Sequence, residues 1–165
     1  MEERTTRIAI IGIGNLLMAD EGFGVHVIRH LEDNYVFPKE VRLIDCGTAG
    51  IYMAPVFEQA KETVIIDAAS IKGYPPGTLL KMNHTEMTGR QIQSSMSPHQ
   101  LGVLEVLEIC RLREKLPSSI EFLLVIPEKV EPGTKLSKTV EPKVKEVARI
   151  IVKRIEDMGL DVKDA

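Results

Sequence analysis

The 165-residue sequence has no tryptophan, and aromatic residues make up only 4% of it. A core built on ring packing and a base-stacking nucleic-acid surface are therefore both disfavoured. Cysteine is scarce as well. Cys46 and Cys110 are too few and too far apart for a disulfide framework or a four-thiolate zinc site, so both are expected to be reduced thiols. Excess charge of one sign is missing: 21 Lys and Arg stand against 24 Asp and Glu, and no dense basic block occurs, which argues against nucleic acid as a partner. The longest apolar runs, such as residues 8–13, are of strand length and fall well short of the ~18 residues that a membrane span needs. Residues 1–7 are charged and lack the apolar segment of a secretory signal, so the expected location is the cytoplasm. No repeat, low-complexity tract or linker divides the chain. One domain over residues 1–165, with its core at about 8–158, is the expectation.

What is present is an alternation of strand-length apolar runs with helix-period segments, the pattern of an α/β domain whose mostly parallel sheet is covered on both faces. Strands are expected at 8–13, 41–45, 63–68 and 120–126, with an edge strand at 78–82 after the Pro75-Pro76-Gly77 turn. Helices are expected at 21–34, where Phe23, Val27, Ile28 and Leu31 form one stripe, at 99–112, and from Val140 to Met158 with Gly159 as its stop. Residues 51–60 read as a short helix interrupted or broken at Pro55, and 161–165 as a frayed tail. Residues 83–98 show no sustained period and read as a long surface loop with at most one helical turn.

Gly12-Ile13-Gly14 after the first strand invites a dinucleotide reading, but Leu17 replaces the third glycine and Asp20-Glu21 would repel a phosphate. Tight-turn glycines without a ligand are the plainer account. In a parallel sheet, ligand sites collect at the C-terminal ends of the strands. Glu21 opens the first helix, Asp67 ends the third strand, His99 begins a helix, and Asp45 ends the second strand. Two carboxylates and an imidazole suffice to hold a divalent transition metal with open positions. Each also has a plainer role: Asp20 and Glu21 at the positive end of a helix dipole, His99 as a packed cap, Asp45 bonded to turn amides near Gly47. Asp67, at the end of the apolar run Val64-Ile65-Ile66, demands a partner that offsets its desolvation. His26 and His30 have metal-pair spacing but share a face with Arg29 and Asp33, and read as solvated. Cys46 has no histidine partner in the sequence, and no serine sits in a nucleophile motif.

Four segments in register resemble the hydrogenase maturation endopeptidase family: Gly12 to Gly24, Asp45-Cys46-Gly47-Thr48-Ala49-Gly50, Ile66-Asp67-Ala68, and Ser97-Pro98-His99-Gln100-Leu101-Gly102. Ile126-Pro127-Glu128, Glu131-Pro132, Leu136 and Thr139-Val140-Glu141 continue the likeness, which spans about residues 8–158. The resemblance implies a three-layer α/β/α sandwich on a twisted sheet of about five strands. It implies an endopeptidase that clips a short C-terminal extension from the large-subunit precursor of a nickel–iron hydrogenase after nickel insertion. It also implies that the family's metal-binding Glu, Asp and His fall at Glu21, Asp67 and His99, with Asp45 matching a further acid whose role stays open. Nickel then belongs to the precursor, as a recognition handle, a Lewis acid or a source of activated water. Cys46 stands where the family often has glycine, and its thiol adds a soft donor to the candidate set. The enzyme is expected to act as a monomer, with segment 83–98 clamping the precursor's tail. The competing expectations are a nickel-checkpoint protein that binds the loaded precursor without cutting it, and a cofactor-binding α/β module.

Overall fold

The computed structural model describes residues 5–89 and 97–165. Strand β1 (Thr6–Ile13) is buried throughout except at Arg7, as a central strand covered on both faces must be. It is followed by a 3-10 turn (Ala19–Gly22) and α1 (Phe23–Asn34). A two-residue strand β2 (Tyr35–Val36), β3 (Val41–Gly47), α2 (Ala54–Gln59) and β4 (Ala60–Ala68) come next. Then follow β5 (Leu79–Asn83), the single turn α3 (His84–Met87), α4 (Pro98–Leu112), β6 (Ser119–Val125), α5 (Glu141–Asp157) and β7 (Lys163–Asp164). Five strands form a sheet in the order β3-β1-β4-β6-β5, parallel except for the edge strand β5, which runs against β6.

The period-2 alternation of strand side chains divides the core in two. Ile8, Ile10, Val64, Ile66, Leu123 and Val125 pack with α1 and α5 on one face. Ala9, Ile11, Ile13, Ile65, Phe122 and Leu124 pack with α2 and α4 on the other. The result is the three-layer α/β/α sandwich that the resemblance implies. The chain leaves β1 toward α1 on the first face, whereas the chain beyond β4 reaches α4 on the second. The C-terminal ends of these neighbouring strands therefore form a topological switch point, the place where open α/β sheets bind ligands.

Several expectations are sharpened or corrected. Pro55 lies in the first turn of α2, where its missing N–H costs nothing, and so does not break the helix. The first helix begins at Phe23, leaving Glu21 on the 3-10 turn before it. Of the expected loop, Asn83 caps α3 by accepting from Glu86 N–H at 2.9 Å, and residues 90–96, the middle of the expected clamp, lie outside the described part. The tail is not frayed. Lys163–Asp164 pairs antiparallel with Tyr35–Val36, the Ala165 N–H donates to Asn34 O at 3.0 Å, and Leu160 and Val162 pack on the first core. Burial of those two side chains outweighs the disorder that the polar composition suggests. No described helix is long and apolar enough to cross a membrane.

Candidate active site

The glycines after β1 serve close packing of main chain. A Cβ on Gly14, at φ +154°, would lie 2.0 Å from the Glu21 carbonyl oxygen, which also accepts the Asn15 N–H at 3.1 Å. The 3-10 turn is thereby folded back onto the end of β1. Beside Glu21, Asp20 is fully buried. Its carboxylate accepts the N–H groups of Glu128, Lys129 and Ser137 at 2.9, 2.8 and 2.7 Å, and the Ser137 hydroxyl at 2.8 Å. Hydrogen bonds to a charged acceptor contribute roughly 1.5–3 kcal/mol each, so Asp20 ties the Glu21 turn firmly to the loop after β6. Nothing local in the sequence reveals this role, since all four donors lie more than 100 residues away in the chain.

Asp67 shares the parity of Ile65 on β4 and so faces the α4 side, opposite Leu124 of β6. It is only 2% exposed. Its Oδ1 accepts the Ala68 N–H at 2.8 Å, and its Oδ2 accepts the Gln100 side-chain amide at 2.9 Å. The same Oδ2 lies 3.9 Å from His99 Nε2, at the start of α4. Burial pushes the Asp67 carboxyl up to about 8; the bonds from Gln100 and Ala68 oppose the rise, and the charge of Glu21 adds to it. Burial also pulls the His99 imidazole below its usual range, while Glu21 pushes it back. Glu21 thus stands within electrostatic range of both groups.

Asp45 is placed differently. It pairs with Gly12 in the ladder and faces the α1 side, where its carboxylate lies 3.6 Å from Arg29 and accepts the Gly47 N–H at 3.1 Å. Strand alternation turns the next residue, Cys46, into the opposite core, on the side that Ile44 also faces. Burial pushes its thiol up to about 11, with Asp45 and Asp67 adding to the rise against a backbone bond from Ala49, so it stays protonated and poorly nucleophilic at neutral pH. Ser97 is no better placed, because its Oγ is buried without a hydrogen-bond partner and no base activates it. Of the paired histidines, His30 meets the Asn34 side chain at 3.3 Å. His26 departs from the solvated expectation: its Nε2 is enclosed without a partner, and burial, then Arg29, lowers its pKa. Among the described residues, no three His, Cys, Asp or Glu side chains form a group that holds a metal ion unaided.

An acid buried at a switch point, facing an imidazole and near a second acid, accompanies extensive likeness to known proteins. The HycI family model, hydrogenase maturation protease, matches residues 25–154. The chain belongs to the hydrogenase maturation protease family. It is 32% identical over 155 residues to hydrogenase 2 maturation protease of Escherichia coli (strain K12), covering 94% of each chain. The hydrogenase maturating endopeptidase HybD from E. coli superimposes with a TM-score of 0.87 at 30% identity, over 96% of this chain and 98% of that one. The [NiFe] hydrogenase maturation protease HybD from Thermococcus kodakarensis does so with a TM-score of 0.70 at 26% identity, over 90% and 98%. A hydrogenase maturation protease of this construction is a peptidase. Within the described site it presents acids and an imidazole in place of an activated hydroxyl or thiolate.

Proposed function

We propose that the protein is an endopeptidase that removes a short C-terminal extension from the nickel-loaded precursor of a nickel–iron hydrogenase large subunit. In this reading Glu21, Asp67 and His99 engage the nickel that the substrate carries. The observation that carries it is the buried Asp67 carboxyl facing His99 at 3.9 Å, with Glu21 in electrostatic range. Carboxylate and imidazole donors suit a divalent metal such as nickel. The precursor supplies the remaining ligands, so three partly separated groups on the enzyme are enough. With no activated Ser or Cys in the described site, water attacks the scissile carbonyl and no acyl-enzyme forms. Asp45, held by Arg29 on the opposite face, stands outside the metal-engaging set and steadies the strand end.

The C-terminal edge of the sheet also supports a protein substrate. Leu17, Ile51, Tyr52, Tyr74, Leu101 and Val130 are exposed, and all belong to segments at the C-terminal edge of the sheet or the start of α4. Clustered exposed apolar side chains mark surfaces that bind other proteins.

The test mixes the enzyme with nickel-loaded and metal-free precursor and reads the C-terminal mass loss. Only the loaded precursor is expected to lose mass, and Glu21→Gln, Asp67→Asn and His99→Ala are each expected to abolish the loss with a native circular dichroism spectrum. Wild-type rates in all three variants, or binding of the loaded precursor without any mass change, would overturn the proposal.

A further inference from the structure

Gln100, the residue after His99, is 6% exposed, and its side chain is fully occupied. Its Oε1 accepts the Ser97 N–H at 2.9 Å. The two N–H bonds of its amide go to Asp67 Oδ2 at 2.9 Å and to the Ala68 carbonyl at 2.8 Å. One side chain thus bonds the first turn of α4, which carries His99, to the last turn of main chain on β4, which carries Asp67. Asp67 has its other oxygen held by the Ala68 N–H, so both of its oxygens are fixed.

We propose that Gln100 is a positioning residue, which sets Asp67 and His99 at the spacing and orientation in which they meet the metal of the substrate. The inference rests on the reading of Asp67 and His99 given above. The chemistry of the amide suits the task. Lys or Arg at this place would neutralise Asp67 and compete with a cation for it. Glu would keep the bond to Ser97 but set a third carboxylate against Asp67 and the Ala68 carbonyl. A neutral donor orients the carboxyl group without setting beside it a positive charge that would compete with a cation.

Partners that orient metal-engaging side chains change affinity or activity about 10- to 100-fold when removed. Gln100→Met keeps length and helix propensity while deleting all three bonds. Three quantities are measured: kcat and KM for processing of the loaded precursor, affinity for loaded and for metal-free precursor, and the thermal midpoint. The expected result is a kcat/KM about 10- to 100-fold lower and a loaded-precursor affinity lowered similarly, with metal-free affinity unchanged. A merely structural role would weaken both affinities together. Where Gln100→Met fails to fold, Gln100→Glu, which retains the Ser97 bond, carries the same expectation. Equal weakening toward both precursors, or a loaded-precursor affinity within about twofold of wild type while Asp67→Asn is inactive, overturns the role of Gln100 alone. Wild-type processing by Asp67→Asn and His99→Ala overturns the site reading and this proposal with it.

Discussion

Burial pushes the Asp67 carboxyl up to about 8, against an ordinary 3.8 in the open chain. Below about pH 4 the native and unfolded forms are both protonated. As pH rises toward about 8, the unfolded chain releases a proton that the native protein keeps, so this residue's contribution to stability is lost across that window. Urea unfolding of the free enzyme between pH 4 and 8 is therefore expected to show Asp67→Asn gaining on wild type as pH rises. A pH-independent difference would mean that Asp67 is already ionised in the free protein. At this scale Asp67 and His99 are legible in the sequence, because each is marked by its own neighbours: an apolar run that ends in an acid, and a Ser-Pro that opens a helix. Asp20 and Gln100 are not. Their roles depend on partners brought in by the fold from more than 100 and more than 30 residues away. Side-chain alternation also separates Asp45 from Asp67, a distinction visible only once the register is known.

Helix α1 sits on the sheet without a spacer. A Cβ on Gly24 would lie 2.1 Å from the Ile66 carbonyl oxygen and 2.3 Å from that of Ile13. Gly24→Ala must lift the helix start, and the Glu21 turn with it, off the ends of β1 and β4. It is expected to lower stability by about 3 kcal/mol or more and to abolish processing. Gly102, in α4, has nothing within 4 Å of its Cβ position, and Gly102→Ala is expected to add about 0.5–1 kcal/mol in urea unfolding. A neutral Gly24→Ala would show that the helix has room to adjust. The buried strands and α5 can be read from the sequence, since continuous β-branched runs and a sustained 3.6 period admit few other structures. The β2–β7 pairing cannot, because two-residue strands leave no periodicity and their pairing joins distant parts of the chain.

Taken whole, the molecule gathers exposed apolar side chains at the edge that holds its acids, and Tyr52 is 80% exposed there. Tyr52→Ser is expected to raise KM for the loaded precursor about 10-fold or more at an unchanged thermal midpoint, since aromatic anchors dominate protein interfaces. An unchanged KM would place the substrate elsewhere. The close seat of α1 has an electrostatic side too. Its N-terminus is pressed against the ends of β1 and β4, and the first turn of α4 bonds Asp67 through Gln100, so the positive ends of two helix dipoles lie at the same edge of the sheet. Negative charge that develops on a carbonyl oxygen there would form in a field made by the main chain. That field is built into the backbone, carries no proton to lose, and remains the same at every pH at which the sheet holds together.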